Sequence, residues 1–128
     1  MRLNHVTLIV SDLERSKAFY RRLGLVQIVD SPPRYARFRL PDGEATLSVE
    51  VIDDRPAVGG VQLFLECDAL DETVAALKAA GVRFDQDPTD MFYLWREARL
   101  RDPDGHALRL YQAGENRLHP PWELKDGG

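Results

Sequence analysis

The chain has a single cysteine, Cys67, among its 128 residues. That excludes an intramolecular disulfide framework and fits a reducing compartment. It lacks a long apolar run: Val6 to Val10 is interrupted by Thr7 and ended by Ser11-Asp12. Such a stretch is too short for a signal-peptide core and far too short to span a bilayer. A basic excess is missing too, with 17 Lys+Arg against 21 Asp+Glu and a net charge of −4. That balance weighs against a broad nucleic-acid footprint, which needs a strongly basic face. No phosphate-cradling glycine loop, nucleophile elbow or zinc-finger spacing occurs. What is present, 44 % hydrophobic and 30 % charged residues, is ordinary for a globular domain able to fold without staples. The expectation is one cytoplasmic domain whose partner is a small molecule, with no nucleic acid and no membrane.

The sequence says nearly the same thing twice. His5 to Gln27 matches Gln62 to Phe84 at a constant offset, with Leu8 on Leu65, Leu13 on Leu70, Ala18 on Ala75 and Gly24 on Gly81. Pro41-Asp42-Gly43 recurs as Pro103-Asp104-Gly105 between β-prone runs. A repeat of this size is one supersecondary unit. Each copy reads as strand, helix and three strands. In the first, His5 to Val10 is a strand, Ser11 with Glu14 is a capping box, and Gly24 stops the helix. Leu25 to Val29, Tyr35 to Leu40 and Ala45 to Ile52 follow as strands. In the second, the elements are Val61 to Cys67, a helix Leu70 to Ala80 capped by Asp68, then Val82 to Asp85, Phe92 to Leu100 and Ala107 to Gln112. The expected organisation of residues 1–128 is a single domain: module one about 3–52, a linker about 53–60, module two about 61–112 and a tail about 113–128 bearing Trp122.

Strand alternation sorts the residues into two faces. Val6, Leu8 and Val10, like Leu47 and Val49, or Leu108 and Leu110, form apolar faces suited to packing under helices. The opposite faces carry His5 and Thr7, Gln62 and Phe64, Ser48 and Glu50, and Arg109 and Tyr111. A curved sheet turning these faces inward makes a mostly apolar pocket with a few polar groups, the usual form of a ligand site. The fold class expected is α+β: two βαβββ modules forming a curved, cupped mixed sheet with helices outside.

Leu3-Asn4-His5-Val6-Thr7-Leu8-Ile9-Val10-Ser11-Asp12-Leu13 and Arg101-Asp102-Pro103-Asp104-Gly105, with the doubled βαβββ plan, resemble the vicinal oxygen chelate superfamily. That superfamily holds glyoxalase I, extradiol dioxygenases and the bleomycin and fosfomycin resistance proteins. The resemblance covers about residues 3 to 112 and implies one divalent metal ion (Zn, Ni, Mn or Fe) and a homodimer. Its metal positions fall on His5, Gln62 and Glu50, with Ser48 the lesser candidate for the third. Where glyoxalase I places a glutamate that binds metal and moves the substrate proton, this chain has Arg109. A guanidinium offers no lone pair and stays charged, so it neither ligates a cation nor acts as base. An ordinary glyoxalase I mechanism is therefore disfavoured, and the extradiol pattern is incomplete because Gln62 stands where a histidine is needed.

Two functional readings stay open. In one, a glyoxalase-like enzyme (lyase, isomerase or dioxygenase) uses His5, Glu50 and Gln62 to hold an ion that polarises substrate oxygens, with Glu50 and Arg109 as the catalytic pair. In the other, a metal-free protein of bleomycin-resistance type binds a planar or charged compound. In either, Arg109, Tyr111, Phe64 and Trp95 lie against the ligand. The blander assignments are a hydrogen-bonded pocket histidine at His5, a Glu50–Arg109 ion pair, turn chemistry at Asp102/Asp104, a solvated His106 and a core thiol at Cys67. Both functional readings require His5, Glu50, Gln62 and Arg109 to meet in one hollow.

Overall fold

A computed structural model describes residues 2–54 and 58–124. Pro56, expected in the linker, and the last four tail residues lie outside the described set. The chain is α+β and repeats a βαβββ plan in two compact units, one of Met1–Val61 with Arg101–His106 and the other of Gln62–Leu100 with Ala107–Gly128. Among the described residues, no helix is long and apolar enough to cross a membrane.

The first unit comprises β1 (His5–Ile9), α1 (Leu13–Leu23), β2 (Val26–Ser31), β3 (Tyr35–Arg39) and β4 (Thr46–Glu50). Its sheet order is β1-β4-β3-β2, with β1 parallel to β4 and the other pairs antiparallel. Leu13, Tyr20 and Leu23 of α1 are buried, as are Leu8, Ala36, Phe38, Leu47 and Val49 of the strands. The Tyr20 and Phe38 rings meet at 6.0 Å. Asp12, not Ser11, caps α1: its carboxylate accepts the Arg15 N–H at 3.0 Å. Ser11 is committed elsewhere, donating its N–H and hydroxyl to Asp104 at 3.0 and 2.6 Å. Gly24 ends the helix at φ 108°, the left-handed conformation a Cβ disfavours.

Two polar devices sit inside this unit. The Tyr20 hydroxyl donates to Asp102 at 2.7 Å, while the other Asp102 oxygen accepts the N–H groups of Asp104 and His106 at 3.0 and 2.8 Å. Burial, reinforced by Asp102, pushes the Tyr20 phenol far above its ordinary range. The turn chemistry expected of Asp102 is present. His106, expected to be solvated, instead has its Nε2 2.8 Å from the Ile9 carbonyl. Lys17, only 4 % exposed, satisfies its ammonium on Glu14 and Asp30 at 2.7 and 2.8 Å.

The second unit comprises β5 (Gln62–Glu66), α2 (Leu70–Ala79), β6 (Gln86–Asp90), β7 (Arg96–Arg101) and β8 (Ala107–Gln112), ordered β5-β8-β7-β6. Asp68 does not cap α2; the N-cap is Ala69, and Gln112 accepts the Leu70 N–H at 3.1 Å in its place. Val82 to Asp85 is not the strand expected. Val82 donates back to Leu77 at 2.9 Å and completes the helix end, so the edge strand forms later, over Gln86–Asp90. Pro88 sits at its register shift, where no ladder N–H is needed. The expected strand Phe92 to Leu100 loses its first four residues to a turn. Met91 donates to the Trp95 carbonyl at 2.7 Å, and Leu94 takes φ 69°. In the tail, Trp122 is 58 % exposed and does not serve as a buried anchor.

Candidate functional site

The face of the first sheet opposite α1 carries three cross-strand rows. The register sets His5 beside Thr46 and Arg39, Thr7 beside Ser48 and Arg37, and Ile9 beside Glu50 and Tyr35. A continuous network crosses it. Arg37 Nε donates to the Tyr35 hydroxyl at 2.9 Å, and that hydroxyl lies 2.6 Å from Ser48 Oγ. Ser48 Oγ and Thr7 Oγ1 lie 3.3 and 3.2 Å from His5 Nε2, and His5 Nδ1 lies 2.6 Å from Thr46 Oγ1. Arg37 can only donate, so the arrangement that satisfies every group runs in one direction. Tyr35 donates to Ser48, Ser48 to His5 Nε2, and the Nδ1 proton goes to Thr46. The network thus assigns His5 the Nδ1–H tautomer, with Nε2 facing hydroxyl groups.

Thr46, the register partner of His5, and the fully buried Ser48 one row on are the β4 groups within hydrogen-bond reach of His5. Glu50 shares the face but pairs opposite Ile9, four residues along β1 from His5, about 13 Å at ~3.3 Å per residue. Among the described residues there is no group of three or more His, Cys, Asp or Glu able to hold a metal ion. Neutral hydroxyls at 2.6–3.3 Å from an imidazole are a poor donor set for a divalent cation. The residues around His5 in this unit therefore do not fit the ion that the resemblance implied.

The corresponding face of the second sheet holds Arg109, Phe64, Trp95 and Tyr111, which the structure brings into one cluster. Phe64 faces Arg109 across the parallel β5–β8 pair. The Arg109 guanidinium lies 5.3 Å from the Phe64 ring centre. Trp95 stacks on Tyr111 at 4.7 Å and 18°, and Phe64 meets both edge-on at 5.8 and 5.7 Å. Phe64 is 41 % exposed, so the cluster has an open side. Gln62, at the start of β5 opposite Ala107, is exposed. His5 and Glu50 belong to the first unit, Gln62 and Arg109 to the second.

The partner of Arg109 is Glu97, not the expected Glu50. Arg109 Nη1 donates to Glu97 at 2.9 Å, and Tyr93 donates to the other Glu97 oxygen at 2.6 Å. Glu97 is fully buried, which the pair makes tolerable because both carboxylate oxygens are hydrogen-bonded. Burial, then the Glu97 bond, raises the Tyr93 phenol, while Arg109 and Arg99 pull it back. Tyr111 is likewise raised by burial and by the Glu66 carboxylate, against Arg117. The signal for Glu97 was present in the sequence: Trp95, Glu97 and Arg99 alternate with Arg96, Ala98 and Leu100, and the last two are buried. Cys67, half-buried, has its thiol 3.8 Å from the Leu65 carbonyl.

A sequence model of the Glyoxalase/Bleomycin resistance protein/Dioxygenase superfamily matches residues 2–110. The chain belongs to that superfamily. Its doubled βαβββ plan is also that of solved members. A glyoxalase/bleomycin resistance protein/dioxygenase from Nocardioides aligns with TM-score 0.76 at 21 % identity, over 97 % of this chain and 89 % of that one. Lactoylglutathione lyase from Agrobacterium tumefaciens aligns with TM-score 0.72 at 20 % identity, over 87 % and 92 % of the two chains. At these identities the likeness concerns the fold alone. In sequence, the chain is 28 % identical to a trivalent organoarsenical cleaving enzyme of Bacillus sp. (strain MD1) over 134 residues, covering 94 % of this chain and 81 % of the relative.

Proposed function

We propose that this superfamily member binds a planar, anionic small molecule on the polar face of its second sheet. Arg109 serves as the anchor and Phe64, Trp95 and Tyr111 as the stacking surface. One observation carries the reading. Arg109 is oriented by a single Nη1 bond to Glu97 and by the Phe64 ring, while its other N–H donors meet no acceptor among the described residues. The buried Nε of Arg99, next along the same face, also lacks a partner there. Donors held in place without acceptors suit a carboxylate, which a guanidinium binds bidentately. The rings add a flat apolar surface worth about 0.5–1.5 kcal/mol per well-placed contact beyond area burial.

The relative named for cleaving trivalent organoarsenicals suggests a further ligand class. Soft trivalent arsenic favours thiolates, and Cys67 is the one thiol here. The test is a thermal-shift screen of planar aromatic carboxylates, their neutral amides and a trivalent aryl arsenical. A stabilising response confined to the carboxylates, and weakened about tenfold in Arg109→Lys, is expected. Equal responses to acid and amide would refute it.

The metal-dependent enzyme built on His5, Glu50 and Gln62 stands as the alternative, favoured by the Nε2 lone pair of His5 on a polar face. The hydroxyls around His5 weigh against it. Stoichiometric metal in protein purified without chelator, lost in His5→Ala, would establish that alternative. We also propose that two copies pair and that the protein is cytoplasmic; sedimentation tests the first and fractionation the second.

A further inference from the structure

The geometry points to a second ligand site in the second unit, separate from the Arg109 anchor: a cavity for an organic ammonium. The cavity measures about 560 Å³, with Trp95, Met91 and Leu94 as its apolar lining and Asp90, Arg96 and Gln112 among its polar ones. Only Trp95 is shared with the face described above. The size suits a small molecule of one ring.

The charge of the ligand follows from how the polar groups are already used. Arg96 spends its guanidinium on two carboxylates: Nε and Nη2 on Asp71 at 3.0 and 3.2 Å, and Nη1 on Asp90 at 3.0 Å. Gln112 gives its oxygen to the Leu70 N–H, and Asn116 donates its amide to the Leu94 carbonyl at 3.5 Å. Among the described lining residues no cationic donor is left to greet an anion. Two carboxylates against one guanidinium leave a net negative charge, and the second Asp90 oxygen accepts no hydrogen bond from the described residues. The Trp95 ring adds a face that attracts cations. A carboxylate ligand would be repelled where an ammonium with an apolar body is drawn in.

The wall of the cavity also carries backbone strain. Leu94 adopts φ 69°, a conformation uncommon outside glycine, and remains 49 % exposed. A leucine held in that state without being buried is costly for folding, and such outliers cluster at ligand sites. Here it forms part of the apolar lining.

The experiment uses Trp122→Phe protein, in which Trp95 is the sole tryptophan. Benzyltrimethylammonium is titrated while Trp95 fluorescence and heat are recorded, with neutral benzyl alcohol and benzoate as controls. Saturable quenching by the ammonium at up to about 10 mM is expected, with the controls weaker. Asp90→Asn should weaken ammonium binding about two- to fourfold, as for a solvent-exposed charge pair. Arg109→Lys should leave ammonium binding unchanged, so failure here and failure of the Arg109 site can be told apart. The proposal is overturned if benzyl alcohol binds as tightly as the ammonium, if Asp90→Asn has no effect, or if no saturable binding occurs.

Discussion

Arg109→Met probes the buried Arg109–Glu97 pair. Glu97 is wholly covered, and the Arg109 side chain is 18 % exposed, with 2.9 Å between the charged atoms. Removing one partner of a buried pair costs ~3–5 kcal/mol, because the remaining charge is left uncompensated. Two features of the site adjust that figure. Tyr93 continues to donate to Glu97, which softens the loss, while the guanidinium stacked over Phe64 is lost as well, worth ~0.5–1 kcal/mol. The expected destabilisation is about 3 kcal/mol, read from urea unfolding followed by circular dichroism. Arg109→Met combined with Glu97→Gln should recover much of it, since no unpaired buried charge remains. A single-variant cost below about 1 kcal/mol, or a double variant that loses the simple sum, would refute the pair as drawn.

Tyr20→Phe should cost about 2 kcal/mol in the same assay, because Asp102 keeps its two backbone donors but one buried oxygen loses its partner. Asp12→Ala should cost about 1 kcal/mol, and Ser11→Ala should show no capping defect of α1 by helical circular dichroism. The Lys17–Asp30 contact makes a pH signature. Its hydrogen bond holds Asp30 below the ordinary 3.8, so that stability is present above the unfolded value and is lost as pH falls through the lowered one. The same bond raises Lys17 above 10.5, so its contribution is present below 10.5 and is lost as pH rises through the raised value. Lys17→Met should flatten both limbs of a stability–pH curve; an unchanged acid limb would contradict the assignment.

The doubled βαβββ plan was legible because strand alternation and the two helix-ending glycines recur at one spacing. Boundaries failed where a residue had a second partner competing for it. Ser11 reads as a cap until Asp104, distant in sequence, claims its hydroxyl. Phe92 to Trp95 reads as strand until the turn closed by Met91 removes it. Pro88 hid β6, because a proline argues against a strand unless a register shift accommodates it. Alternation was enough to group Arg109 with Tyr111 and, through the first strand of the second unit, with Phe64. It did not reveal that Glu97 answers Arg109, because alternation sorts residues by face and leaves open which strands become neighbours. Register along β1 and β4, which sequence does not specify, decides that Thr46 and Ser48, and not Glu50, come to His5.

The most direct measurement is calorimetric titration of chelator-treated protein with a planar aromatic carboxylate selected by the screen, before and after adding back Mn, Fe, Ni or Zn. The account predicts one-site binding without any ion, unchanged on metal addition and in His5→Ala, and weakened about tenfold in Arg109→Lys. Binding that appears only after metal is restored and disappears in His5→Ala, with Arg109→Lys indifferent, would contradict it.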